Sequence, residues 1–334
     1  MKKGIFLLLI LVSAGNVFSQ DPQFSQYYAA PLYLNPGLAG AVNAPRFNLN
    51  SRMQWANLPG AYNSYALSGD VMVDNLSSGF GFLIMTDKAG SVNLRNTSVG
   101  AVYSAKVQLS KKWVFSPGLM FGYGSRSLDF DKMILGDQIL NNGATMDNDV
   151  NRMGNQGYFD FSTGMTIYNR IFWAGVSGYH INTPNFSMTD EDSKLPMRFS
   201  VHAGMRIPVS SGQSRFRITD IAPSFVYKTQ GDFQQLDLGT NIIFNPLLVG
   251  LWYRGLPISS ASGHDAVIFN LGLNLKHFEV GYSYDFTISD IGPHTGGSHE
   301  LSVMLRLKGK ENDKRRISND SKILPCPNYG FIWD

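Results

Sequence analysis

The feature that most constrains the fold is a hairpin-like stretch near the end, Phe278 to Leu307, in which apolar side chains recur at every second position. Phe278, Val280, Tyr282, Tyr284 and Phe286 alternate with Glu279, Gly281, Ser283 and Asp285. After the turn-rich ISDIGPHTGG, Leu301, Val303, Leu305 and Leu307 alternate with Glu300, Ser302, Met304 and Arg306. A period of two means strands with two unlike faces. In a soluble sandwich the apolar face would meet a second sheet. In an outer-membrane barrel it would meet lipid, while the polar face lines the inside. Arms of about ten residues suit tilted strands crossing a bilayer core.

The unit repeats. Alternating segments begin near Phe47, Ser64, Ser78, Ser98, Trp113, Tyr158, Ile171, Met197, Arg217, Gln234, Leu248 and Ala266, and the last hairpin brings the expected total to about fourteen. An even number suits a bacterial single-chain barrel. The weakest members are 171–180 and 217–228, where both faces are partly apolar. With the mature N-terminus taken as periplasmic, the odd connections are 56–63, 87–93, 124–157, 181–196, 229–233, 255–265 and 288–297. They are mostly longer than the even ones, as outer loops are relative to periplasmic turns. The expected fold is an all-β, antiparallel up-and-down transmembrane barrel.

Composition agrees. Only 16% of the 334 residues are charged and the net charge is +3, whereas soluble domains carry about 25% charged residues. The near-neutral balance gives no argument for nucleic acid. The start, MKKGIFLLLILVSAGNVFSQ, has a basic end, a short apolar run and small residues at Val17 and Ser19. It reads as a secretory signal over 1–19 with cleavage before Gln20. With no long apolar run elsewhere, an exported membrane protein of this kind must be a closed barrel.

The barrel is expected over 46–307, with two flanking segments that do not alternate. Residues 20–45 contain Pro22, Pro31, Pro36 and Pro45, which break strands. Yet Phe24, Tyr27, Tyr28 and Tyr33 are too apolar for a free tail, so the segment is expected to plug or brace the barrel. Residues 308–334 begin polar and basic and end apolar. This periplasmic tail is either disordered or a docking peptide, with Cys326, Phe331 and Trp333 as candidate contacts. Cys326 is the single cysteine, so it builds no intramolecular disulfide and no zinc site.

Catalytic signatures are missing: there is no G-x-S-x-G, no H-E-x-x-H, no C-x-x-C and no phosphate loop. Ser298, His299 and Glu300 are adjacent and therefore alternate between faces, so they cannot form a triad by themselves. Asp129, Asp131, Asp137, Asp147 and Asp149 crowd the longest connection, but their spacing matches no EF-hand loop. No catalytic residue, metal or cofactor is expected. The long connection itself is expected to carry recognition.

Alternation also predicts a polar cluster. If Tyr253, Tyr284 and Leu301 face lipid, then Arg254, Asp285 and Glu300 face inward, all near the outer mouth. Two carboxylates this close repel unless a cation intervenes, and Arg254 is expected to bridge both.

Several stretches together resemble the PorP/SprF family of the type IX secretion system. They are QDPQFSQYYAAPLYLNPGLAG at 20–40, DFSTGMTIYN at 160–169, PSFVYKTQGDFQQLDLGTN at 223–241, LWYRG at 251–255 and GYSYDFTISD with GSHEL at 281–301. Gly37 stands where alanine is expected. The resemblance implies a non-enzymatic outer-membrane barrel associated with type IX secretion and gliding motility. It implies as partners secreted proteins with a type B C-terminal domain, often adhesins, together with periplasmic secretion components and outer-membrane lipid. The residues alone leave two rivals, a solute pore and an outer-membrane hydrolase.

Overall fold

The computed structural model describes residues 20–307, apart from 43, 91–92, 130–154, 189–191, 210–219, 245, 257–262, 276 and 290–291. The signal segment 1–19, most of the connection 124–157 and the tail with Cys326, Phe331 and Trp333 lie outside the described residues.

Sixteen strand segments form one antiparallel sheet: β1 Arg46–Gln54, β2 Tyr62–Val73, β3 Ser78–Ala89, β4 Leu94–Ala105, β5 Val107–Gln108, β6 Val114–Ser127, β7 Gln156–Tyr168, β8 Phe172–Tyr179, β9 Arg198–Met205, β10 Ile207–Pro208, β11 Asp220–Gln230, β12 Phe233–Phe244, β13 Leu247–Gly255, β14 His264–Leu275, β15 Phe278–Thr287 and β16 Ser298–Arg306. Two of them, β5 and β10, are two residues long and continue β4 and β9 against the same neighbours, β6 and β11. The ring therefore has fourteen staves. It closes where β16 pairs with β1, Arg46 opposite Arg306 and Gln54 opposite Ser298. Closure leaves no unpaired edge, which a bilayer requires. No helix among the described residues is long and apolar enough to cross a membrane.

The two faces of the wall differ as the alternation dictates. Leu49, Phe121, Phe161, Leu251, Phe269, Leu271 and Leu301 are exposed on the outside. Asn48, Asn50, Ser68, Ser104, Ser116, Asn270 and Ser283 are buried inside. A soluble barrel would invert this arrangement; an apolar exterior needs lipid. Aromatic–histidine pairs lie on the outer surface toward one end. The Tyr282 hydroxyl and His299 Nδ1 are 2.7 Å apart, and Tyr253 meets His264 at 2.5 Å.

The two ambiguous segments, 171–180 and 217–228, are strands β8 and β11. Their inner faces mix apolar and polar side chains, Trp173 and Tyr179 with Ser177 in β8 and Val226 with Ser224, Lys228 and Gln230 in β11, and the apolar ones pack against protein rather than water. Trp173, Tyr179 and Val226 all contact the segment that precedes β1, in two clusters that include Tyr27, Leu34 and Leu38 or Phe24, Leu32 and Tyr33.

That segment corrects one premise of the sequence reading. β1 does begin at the short-turn end, but Gln20 does not lie there. Asp21 contacts His180 and Arg198, which flank the long connection between β8 and β9. Ala39, in contrast, lies against Ser104 near the short turn after β4. The chain from 20 to 42 therefore runs through the lumen from the long-connection end to the short-turn end before the wall begins.

Candidate functional site

Within the lumen the N-terminal segment forms short helical turns, Tyr27–Ala29, Pro31–Leu34 and Pro36–Leu38. Prolines start two of them, positions where the missing N–H is harmless. Every residue from Phe24 to Val42 is buried. Phe24 packs edge-on to Tyr33 at 5.3 Å, and Tyr27 edge-on to Trp252 at 5.1 Å. The Tyr27 hydroxyl lies 2.6 Å from that of Ser224, and Tyr28 is buried beside Tyr27. Tyr33 donates to the Pro22 carbonyl.

Short turns leave carbonyls and N–H groups that a strand would have paired, and the wall satisfies them. The Tyr179 hydroxyl donates to Leu32 O at 2.6 Å, Ser177 to Leu34 O at 2.8 Å, and Ser116 to Gly37 O at 2.6 Å. Asn35 Nδ2 donates to the strand carbonyls of Met165 and Val176 at 3.1 and 3.0 Å. The fit is close at two wall glycines. A Cβ on Gly79 would sit 2.1 Å from Ala39 O, and one on Gly118 would sit 2.4 Å from Gly37 N. Only glycine lets the two backbones approach this far. Gly37 is itself confined: a Cβ there would lie 2.5 Å from Ser116 O.

Toward the long-connection end the contacts become ionic. Arg254 donates from Nη1 to Asp285 Oδ2 at 2.8 Å and from Nε to Asp237 Oδ1 at 2.9 Å. Arg52 donates from Nη2 to the same Asp285 oxygen at 2.8 Å and from Nη1 to Glu300 Oε2 at 3.4 Å. Glu300 also accepts the backbone N–H groups of Ser25 and Gln26, at 2.6 and 3.1 Å. All five charged side chains are nearly inaccessible.

Arg254, Asp285 and Glu300 thus share one cluster, but the expected bridge is corrected. Arg254 binds Asp285 and not Glu300, which pairs with Arg52. The reason is register. Arg52 stands directly opposite Glu300 across the closing β1–β16 pair, and Arg254 directly opposite Asp237. Alternation places Arg52 and Asp237 on the inner face, so both could have been included. Ser25, the remaining member, carries no periodic signal because it belongs to no strand.

A second ionic group holds the start of the segment. Asp21 pairs with His180 Nε2 at 2.8 Å and with Arg198 Nη1 at 2.9 Å, and accepts from Gln230 Nε2 at 3.2 Å. His180 Nδ1 lies 2.9 Å from Asp160 Oδ1. The Arg198 guanidinium is stacked between the rings of Tyr33 and Tyr179, 4.1 and 4.2 Å from their centroids. Burial disfavours the His180 imidazolium, but Asp21 and Asp160 outweigh it and raise the group to about 9. Burial pushes the Asp21 carboxyl upward, yet His180 and Arg198 together hold it well below the usual carboxylate range. At neutral pH the pair is charged.

Ser298, His299 and Glu300 are divided between faces: Ser298 and Glu300 are buried inside, while His299 meets Tyr282 and Tyr284 on the outer surface. Among the described residues no group of His, Cys, Asp and Glu is arranged to hold a metal ion.

No curated protein matches the chain. Among solved structures, the toluene transporter TodX of P. putida superposes with a TM-score of 0.49 at 11% identity, over 82% of this chain and 92% of that one. Omp33 of Acinetobacter baumannii gives 0.43 at 8% identity, over 80% of this chain and 100% of that one. Neither likeness carries an argument about function, and the barrel stands on its own strand pairing. A family model described as type IX secretion system membrane protein PorP/SprF matches residues 16–305, which include the lumen segment and nearly the whole wall. The chain is an outer-membrane β-barrel that belongs to the PorP/SprF family of type IX secretion system membrane proteins.

Proposed function

We propose that this barrel retains secreted proteins bearing a type B C-terminal domain, adhesins among them, at the cell surface for secretion or gliding. Its long-connection end is the receiving face, with the loop 124–157 as its main element. Residues 20–45 act as a stopper, and the tail 308–334 docks periplasmic secretion components through Phe331 and Trp333. The observation that carries the reading is the packing of residues 24–42 against both apolar and ionic parts of the inner wall. A solute pore has no use for such a filling, and a hydrolase would need a nucleophile beside a base.

The test has two arms. Deleting part of 130–154 should leave a barrel that migrates normally on gels but releases a type B partner into the medium. Reconstituted protein should conduct far less than an open barrel of fourteen strands. Unchanged retention after the deletion, or a large steady conductance, would each refute the corresponding half.

A further inference from the structure

The ionic tie at Asp21 draws the N-terminal residues toward β8, β9 and β11. On the other side of the mouth the described residues leave a space. A cavity of about 500 Å³ lies beside Gln20–Gln23 and is walled by inward-facing residues of β1, β2, β3, β4 and β6, with Phe186 and Leu195 from the β8–β9 connection. That volume falls within the range of ligand sites, roughly 300–1,000 Å³.

The lining carries both signs: the Asp21 and Asp87 carboxylates border the same space, Asp21 tied to His180 and Arg198 and Asp87 accepting from the Ser64 hydroxyl. Arg126 holds its guanidinium 4.4 Å from the centroid of the Phe186 ring. Among the described residues it has neither a carboxylate nor a hydrogen-bond acceptor. A guanidinium fixed on an aromatic face keeps its planar fork available, and that fork matches a carboxylate. Asn96 accepts from the Tyr158 hydroxyl at 3.0 Å, its N–H₂ has no acceptor among the described residues, and the Gln54 amide also lines the space. The rim carries strain: Trp55 has φ of 58°, a left-handed conformation unusual for a bulky residue, and packs edge-on to Tyr62 at 5.3 Å. The surrounding strands are paired on both edges, so a visitor cannot add a strand and must be recognised by side chains.

We propose that this cavity binds an extended peptide segment of the secreted partner, with a peptide carboxylate on Arg126 and main-chain groups on Asn96 and Gln54. The inference rests on the retention role proposed above. The unpaired guanidinium is what favours an acidic peptide over a neutral glycan.

The experiment uses the full chain in detergent and calorimetric titration with four probes. They are acetyl-Phe-Ala-Asp-Ala-amide, acetyl-Phe-Ala-Asn-Ala with a free C-terminus, the same Asn peptide amidated, and digalacturonic acid. At least one of the two carboxylate peptides should bind, and whichever does identifies a side-chain or terminal source. The carboxylate-free peptide should bind at least about tenfold more weakly, and Arg126→Gln should remove that difference while Arg126→Lys restores part of it. No binding by either acidic peptide, equal binding by the amidated Asn peptide, or an unchanged Arg126→Gln variant would overturn the site. Tighter binding of digalacturonic acid than of either peptide would overturn the peptide assignment. Peptides that bind through Arg126 in a barrel whose loop deletion leaves retention intact would refute the loop's part in retention and spare the site. Loop-dependent retention without peptide binding would do the reverse.

Discussion

The Ser25 hydroxyl donates to the Asp285 carboxylate at 2.6 Å, joining two residues 260 positions apart in the chain. The same oxygen accepts from Arg52 Nη1 at 2.8 Å and from Arg254 Nη2 at 2.9 Å. A hydroxyl has one proton and two lone pairs, so all three capacities are used. A side chain of the lumen segment is therefore the hub of the charge cluster in the wall.

Ser25→Ala should leave two buried N–H groups without this acceptor and Asp285 without this donor. The expected loss is about 1–3 kcal/mol. The temperature at which the folded barrel converts to the slower-migrating unfolded form on gels should fall. A variant as heat-resistant as the parent would show that water replaces the hydroxyl without cost.

Arg254→Ala should cost more than Ser25→Ala, roughly 3–5 kcal/mol, because it leaves Asp237 with the Gln235 amide but without its paired cation and Asp285 with one cation in place of two. The variant should assemble poorly or unfold at markedly lower temperature. If Arg254→Ala proves milder than Ser25→Ala under the same heating series, the ionic account of this cluster is wrong.

Gly79→Val should displace the lumen segment while sparing the wall. Its side chain would occupy the place of the Ala39 carbonyl, which cannot retreat without moving the backbone. Reconstituted protein should show higher conductance than the parent, and residues near Ala39 should become protease-sensitive from the short-turn end. Gly37→Ala, the residue expected there by family resemblance, should also strain the contact with Ser116, but less. Parental conductance in Gly79→Val would argue that the segment does not occlude the path.

The His180–Asp21 tie should depend on pH in a definite direction. His180 is raised in the folded barrel from its usual 6.5 to about 9. Its contribution is therefore fully present below about pH 6.5 and lost as pH rises through about 9. Asp21 is depressed, so its contribution is present above its usual 3.8 and lost only as pH falls through the lower folded value. The heat resistance of the parent minus that of His180→Asn should be greatest near pH 6 and shrink toward pH 10. A difference that stays constant across this range would mean that the imidazolium does not hold Asp21.

A tail truncated after Leu307 should still form the barrel. It should lose co-purifying periplasmic secretion components if Phe331 and Trp333 dock them. Identical recovery of partners with and without the tail would remove docking from its role.

The wall was legible from the sequence because strand geometry is local. A side chain in a strand alternates faces with period two regardless of its neighbours, so Phe278, Glu279 and Arg254 could be assigned to outside or inside one segment at a time. Strand number and connection asymmetry followed from the same kind of reading, whereas the opening motif at 20–40 was marked by its resemblance to the PorP/SprF family. The ion pairs were not legible, because they depend on register across strands far apart in sequence. Arg52 meets Glu300 only because the first strand closes on the last with those residues opposite. The sequence by itself also marked 20–45 as irregular and aromatic, without its direction. Only the tertiary structure decided that it runs from the long-connection end inward, since that path depends on where wall hydroxyls, glycines and charges converge once the ring is closed. Burying a segment with so few internal backbone bonds requires partners for its donors and acceptors, and along this path the closed wall supplies them through Glu300, Tyr179, Ser177, Ser116 and Ser104.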